Sequence, residues 1–530
     1  MEASGMSKRK TDKNKNVNLD ALIQREDFTA DDIETNPTTT IATISCNDLN
    51  KDTGFFLNSI RKPDFQRETV DWDTEKVVQF VKSFVDGEFI PAIILWKSKS
   101  GLNFVIDGSH RLSSLIAWIN DDYGDKDFSL EAYDGQVPDE QRKIAVATRN
   151  KIESEIGSFK KFMTALKAKR PDIDIIEKAR HLTSRALQLQ WIDGDAERAE
   201  RSFYNINQQA VPIDETELSL IQKRKRATGM AARAIAKAGK GHKYWDNFDS
   251  KVKEEIEKLS NEIHRLLFEP AIQRPIKTFD VPICDKSNNA LLIICDLILL
   301  SNGEKSEIDA EVDVDGERTL ACLKKVSKVV RTMNSNFAGS YGLHPILYCY
   351  SNKGNFRSAS FYGLVEFVIR LKDKNNPQLL KSFIDNRRAF EDFIFHNDGI
   401  IQHLTNVHRH SLKSSKHIAD YYVEILGLLD KKMPQPEIVS ALTDTKKYGK
   451  LIYETTPSHT SASKQFSIDA KGEVYISASF ASATRCAICG GLLHRHSISI
   501  DHIEPKRNGG VGNVENGQLT HPYCNTGVKN

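Results

Sequence analysis

The chain has 530 residues and a mass of 59.8 kDa, enough for roughly three or four domains. A hydrophobic share of 39%, a charged share of 28% and a mean hydropathy of −0.45 exclude wholesale disorder and supply material for at least one sizeable core. The net charge of +2 excludes a globally basic nucleic-acid binder, so any such surface must be local.

Residues 1–17 are polar and carry Lys8, Arg9, Lys10, Lys13 and Lys15, which predicts a mobile, solvated tail; the tail is bounded at 1–25. No apolar core of a secretory signal is present. From about residue 55 the pattern becomes regular. Val77, Val78, Phe80, Val81, Phe84 and Val85 lie at helical spacing, and Asp86 and Gly87 end that helix. Ile90 to Trp96 reads as a buried strand, and Asn103 to Ile106 as a second. Asp107 and Gly108 break it, and Leu112, Leu115, Ile116 and Ile119 form the stripe of a following helix. Residues 140–450 read as mostly helical, for example Lys251 to Leu267 and Phe361 to Lys372, with an exposed acidic loop over Ser301 to Glu317. The densest apolar run, Ala290 to Leu300, is interrupted by Asp296 and is too short to span a membrane. Residues 431–470, with Pro434, Pro436 and Pro457 among many Ser and Thr, read as a boundary. The last segment, 471–530, reads as short β-prone runs and Gly turns.

Two stretches carry chemistry. In the first, Asn103 to Arg111 leads from a strand through a Gly turn into a helix. Free N–H groups at a helix N-terminus favour phosphate, Gly108 admits a close approach, and Arg111 can pair with phosphate bidentately. Asp107 either caps the helix or helps hold a cation, and His110 adds a titratable donor. Upstream stand Pro63, Asp64, Phe65, Gln66, Arg67 and Trp72; downstream stand Phe203, Tyr204, Asn205, Ile206, Asn207, Gln208 and Gln209, then Pro212, Ile213, Asp214 and Glu217. Together these resemble the ParB-like domain of GmrS-type restriction proteins and the related SspE, over residues 40–225. The family's central box usually reads Asp-Gly-Gln-Gln-Arg, and here Ser109 and His110 replace the two Gln. The resemblance implies nucleoside-triphosphate binding, with hydrolysis open, at Arg67, Asp107, Gly108, His110, Arg111 and Asn207.

The second stretch is C-terminal. Of eight cysteines, Cys486, Cys489 and Cys524 lie close to the end, and the other five lack framework spacing. That usage fits a reducing compartment with one metal cluster better than a disulfide scaffold. Cys486 and Cys489 form C-x-x-C, and His521 and Cys524 form H-x-x-C, two soft pairs suited to a tetrahedral structural zinc. Between them lie Asp501, His502, Pro505, Gly509, Gly510 and Asn516, and Asn525 follows the last Cys. This run resembles a zinc-stapled HNH endonuclease of the ββα-metal class. Phosphodiester hydrolysis needs a base for water and a cation for developing charge; His502 suits the base, and Asp501 and Asn525 are hard ligands for catalytic Mg²⁺ or Mn²⁺. By the family pattern, Asn516 orients the loop carrying His502; Lys506 and Arg507, as basic residues of that loop, are candidates for contact with the DNA backbone.

The predicted fold is α+β: a ParB-like α+β domain at 26–225, a helical middle domain at 226–450 and a ββα-metal HNH domain at 471–530. The predicted activity is DNA nicking or cutting in defence against phage or foreign and modified DNA, by a metal-dependent nuclease whose N-terminal domain senses nucleotide or DNA. The alternative is a nucleotide-dependent ParB-like clamp with a non-catalytic zinc knuckle. The expected setting is cytoplasmic, with DNA and nucleoside triphosphate as partners, no membrane, and homo-oligomerisation left open. Other features carry bland readings: surface histidines at His403, His408, His410 and His417, a buried helix-to-loop junction over Phe337 to Tyr350, and surface arginines at Arg331, Arg387 and Arg388.

Overall fold

The computed structural model describes residues 16–26, 40–63, 66, 69–132, 137–168, 172–210, 216, 219–220, 223–240, 244–286, 290–303, 309–408, 411–443 and 465–528. The chain is mixed α and β, predominantly helical. It divides into two compact units, one of residues 1–224 with 240–244, the other of 225–239 with 245–530.

The first unit is built on a six-stranded mixed sheet. Its strands are β1 (Arg25–Glu26), β2 (Thr43–Ser45), β3 (Ile60–Pro63), β4 (Ile93–Lys97), β5 (Asn103–Asp107) and β6 (Ala186–Ile192), in the order β1-β3-β5-β4-β6-β2. The pairs β3–β5 and β4–β6 are parallel, and β4–β5 and β2–β6 antiparallel. Alternation along the strands feeds two cores. Ile93, Leu95 and Val105 join the larger one, and Trp96, Phe104 and Ile106 join a smaller one on the opposite face. Helix α1 (Thr74–Asp86) buries Val77, Val78, Val81, Phe84 and Val85 in the larger core; Asp73 caps it by accepting from the Lys76 N–H, and Gly87, at φ +78°, ends it. Helix α2 (Ser109–Asn120) packs into the same core through Leu112, Leu115, Ile116 and Ile119. Helix α3 (Ala196–Ala210) covers the other face with Ala199 and Phe203.

Three expectations are corrected here. Val17, Leu19, Leu22 and Ile23 are buried in the larger core, so the polar tail drawn over residues 1–25 does not extend to them. β4 begins at Ile93 rather than Ile90; Pro91 has no N–H to give a ladder, and its carbonyl instead accepts from Arg111 Nη1 at 3.1 Å. β6 interrupts the stretch read as helical, and its signal is period two: Leu187 and Leu189 are buried while Gln188 and Gln190 are exposed.

The second unit is helical with a small hairpin. Its main helices are α4 (Ser250–Phe268), α5 (Ala290–Asn302), α6 (Glu317–Met333), α7 (Ser358–Leu371), α8 (Pro377–His396), α9 (Ser411–Asp430) and α10 (Ile468–Phe480). Phe367, Phe383, Phe390 and Tyr422, from α7, α8 and α9, form an aromatic cluster with ring centroids 5.3–6.0 Å apart. The loop before α6 is not simply exposed: Asp313 is buried and accepts from the N–H and hydroxyl of Thr319, in the first turn of the helix, at 2.8 and 2.7 Å. The segment opening at 471 begins inside helix α10 rather than in a β-prone run. Gly472, Ile476 and Phe480 recur every four residues on its buried face, and Phe480 stacks on Phe395 at 3.8 Å. Strands β7 (Ser499–His502) and β8 (Gly517–Thr520) pair antiparallel. Among the described residues, no helix is long and apolar enough to cross a membrane.

Candidate metal centre and nuclease site

Cys486, Cys489, His521 and Cys524 converge, all buried, with their ligand atoms within 4.8 Å of one another. Each pair sits on a tight turn. After Cys489 the chain reverses at Gly490, φ +72°, whose N–H donates to the Cys486 carbonyl at 2.9 Å. Cys524 opens a single π-turn, Cys524–Val528, three residues after His521. His521 Nδ1 lies 3.3 Å from Cys489 Sγ and 3.9 Å from Cys524 Sγ. Ligands on a tetrahedral zinc with bonds of about 2.0–2.3 Å stand roughly 3.5–3.8 Å apart, so three sulfurs and one imidazole at these distances fit that ion.

The hairpin beside this cluster gathers the residues expected to do chemistry. Asp501 and His502 end β7, facing Gln518 and Gly517 on β8. Asp501 is buried and accepts from Gln518 Nε2 at 2.8 Å; His502 is half-buried. Asn525, on the π-turn, donates through Nδ2 to Ser499 Oγ at 2.7 Å and to the Ile500 carbonyl at 3.2 Å. With Nδ2 committed to β7, Oδ1 is left as the acceptor atom of the Asn525 side chain. Asn516 spans the loop after His502. Its Oδ1 accepts from the Glu504 N–H at 2.7 Å, and its Nδ2 donates to the carbonyls of Glu504 and Val511 at 3.1 and 2.9 Å. Lys506 and Arg507 are exposed on a short 3₁₀ turn of that loop.

In the first unit, β5 delivers Asp107 to a turn at Gly108, φ +94°, that opens α2. The positive φ is what calls for glycine; a Cβ at Gly108 would in addition meet Ile93 Cδ1, the tip of a side chain, at 2.6 Å. Arg111 reaches back to Asp107 Oδ2 at 2.6 Å. His110 stacks on Trp72, centroids 5.5 Å apart, and its Nε2 accepts from the Asp71 N–H at 3.3 Å. Asp107, Gly108, His110 and Arg111 thus share one turn. Arg67, Pro212, Asp214 and Glu217 lie outside the described residues, as does the side chain of Asn207 on α3.

Arg387, read as a surface arginine, is fully buried. It forms an ion pair with Glu391 one turn along α8, at 2.9 Å, and donates to the backbone carbonyls of Tyr341 and Gly342. Glu391 is equally buried and accepts from the Leu492 N–H at 2.7 Å and the Tyr348 hydroxyl at 3.2 Å. The junction over Phe337 to Tyr350 is buried from Ser340 onward, as read, and it also borders the metal cluster: the Tyr523 N–H donates to the Ser340 carbonyl at 3.1 Å. No sequence signal links these residues, because the backbone and hydroxyl partners of Arg387 and Glu391 outside α8 lie 43 to 101 positions away along the chain. Arg331 is paired with Glu262, and exposed Arg388 lies 3.9 Å from Asp392.

Comparison with known families gives two matches. Residues 47–221 match the GmrSD restriction endonuclease, N-terminal domain, and residues 486–530 match the HNH endonuclease. No curated protein and no solved structure matches the chain.

Proposed function

We propose that this chain, which joins a GmrSD restriction endonuclease N-terminal domain to an HNH endonuclease domain, is a metal-dependent restriction nuclease whose N-terminal domain senses nucleotide in defence against phage or modified DNA. The observation that supports the reading is that Asp501 and His502 end strand β7 while Asn525, on the π-turn that also carries Cys524 of the metal-capable cluster, hydrogen-bonds to that same strand. His502 takes the proton from the attacking water. Asp501 and Asn525 hold Mg²⁺ or Mn²⁺, which when bound supplies charge opposite the developing phosphorane. Asn516 fixes the loop after His502, and Lys506 and Arg507 meet the DNA backbone. The zinc at Cys486, Cys489, His521 and Cys524 is structural: all four ligands are protein side chains, leaving no open position for a substrate. In the N-terminal domain, a triphosphate binds at the start of α2, where Gly108 admits it, Arg111 exchanges Asp107 for a phosphate oxygen and His110 stands on the same turn; the family resemblance adds Arg67 and Asn207 to its ligands. The setting is the cytoplasm, where target DNA meets reduced thiols.

Supercoiled plasmid and modified phage DNA, incubated with the protein, Mg²⁺ or Mn²⁺ and each triphosphate in turn, test this reading. Nicked or linear product that depends on the divalent ion and changes with one triphosphate is expected. Triphosphate-independent cutting would remove the sensing role, and absence of cutting on every substrate would remove the nuclease.

A further inference from the structure

We infer that Arg387 and Glu391 on α8 are positioning residues for the metal centre, setting the orientation of His521 so that the helical body is part of the nuclease's metal site. The inference rests on the cluster being a zinc site, and on geometry the family match, which begins at residue 486, does not contain.

His521 has two ring nitrogens and one must face the metal. Nε2 lies 2.9 Å from the Leu492 carbonyl. A carbonyl only accepts, so Nε2 carries the proton and Nδ1, unprotonated, is free to ligate an ion held among the three sulfurs. The α8 pair holds both sides of this arrangement. On one side, Glu391 Oε2 accepts the N–H of Leu492, the residue whose carbonyl fixes the His521 tautomer. On the other, Arg387 Nη2 donates to the Gly342 carbonyl at 2.7 Å, and the imidazole packs directly on Gly342; a Cβ there would lie 2.1 Å from His521 Cδ2. Arg387 Nη1 stands 3.3 Å from His521 Nδ1, whose single lone pair the ion would take, so Arg387 acts through the Tyr341 and Gly342 carbonyls and not on Nδ1 itself. The Gly490–Gly491 turn leaves room for the guanidinium: a Cβ at Gly491 would lie 2.2 Å from Arg387 Nε. A fully buried ion pair contributes little net stability alone, since desolvation offsets the Coulombic gain. Here the pair supplies geometry: two helix side chains hold two separate backbone segments against the same ring.

The full-length chain is tested as Arg387→Met, Glu391→Gln and Arg387→Lys. Readouts are zinc content, competition of zinc against a chromogenic chelator, the visible spectrum of the Co²⁺-substituted protein, and far-UV circular dichroism. Wild type is expected to hold one tightly bound zinc from this centre. Arg387→Met and Glu391→Gln are expected to keep their helical dichroism, lose about 10–100-fold in zinc affinity and shift the Co²⁺ bands. Arg387→Lys recovers part of the affinity through one carbonyl contact. Helical variants with wild-type affinity and spectrum would reduce the pair to packing and overturn the inference. If Arg387→Met fails to fold, Glu391→Gln and Arg387→Lys decide by the same comparison. A wild-type protein without zinc overturns the metal reading itself, a result distinct from unchanged variants.

Discussion

Gly342 shows how one residue links two distant parts of the chain. Its φ of +61° already disfavours a side chain, and the His521 ring occupies the space a Cβ would need. Gly342→Ala is therefore expected to weaken zinc retention at least tenfold and to lower the melting temperature; wild-type values for both would show that the ring is free to move. Asn516 offers a milder case. Its side chain makes three hydrogen bonds to the loop over residues 504–511. Asn516→Ala is expected to reduce nicking by one to two orders of magnitude while costing about 1–3 kcal/mol of stability. A loss of stability with full activity would separate the loop from catalysis. At this scale the metal cluster was legible because each ligand pair is local: two residues on a tight turn announce themselves by spacing. Arg387 and Glu391 were not, because nothing within a few residues of either distinguishes a buried clamp from a solvated i,i+4 pair.

Between elements, the junction that joins the end of α6 to the chain before β7 depends on neutral histidines. Asn334 Nδ2 donates to His494 Nδ1 at 2.7 Å, an acceptor role open only to the unprotonated nitrogen. Burial, then the neighbouring His496, pushes His494 from 6.5 down to about 3, with Arg495 acting the same way. Burial, then His494, His521 and Arg387, pushes His344 well below its ordinary value. Both folded values are lowered, so the unfolded chain binds more protons in acid. The stability His494 contributes is complete above about pH 6.5 and is lost as pH falls toward 3, by up to about 1.4 kcal/mol per pH unit, and His344 acts in the same direction. Urea unfolding followed from pH 7.5 to 4.5 should show the midpoint falling below pH 6.5; a flat profile would mean that these rings are hydrated. Helices with one apolar face, such as α1 and α4, were legible from periodicity. α10 was not, because Val474, Tyr475 and Ile476 favour strands locally, and helix wins through the face that Gly472, Ile476 and Phe480 bury.

For the molecule as a whole, the HNH segment belongs to the same compact unit as the helices from 245 onward. The α+β class and the two end regions could be read from motifs, whereas this grouping could not, since it depends on tertiary contacts rather than composition. Removing zinc with a chelator should lower the melting transition of the second unit by roughly 10 °C or more and leave the first unit's transition in place. A single unchanged melt would contradict a structural metal. Measurement of nicking under single-turnover conditions, with wild type and His502→Ala matched for zinc content and DNA affinity, tests the central claim most directly. A loss of about 10²–10⁴-fold in rate with binding intact is the expected result. Equal rates would place the chemistry elsewhere, and no cutting by either protein on modified or unmodified DNA would contradict the nuclease reading altogether.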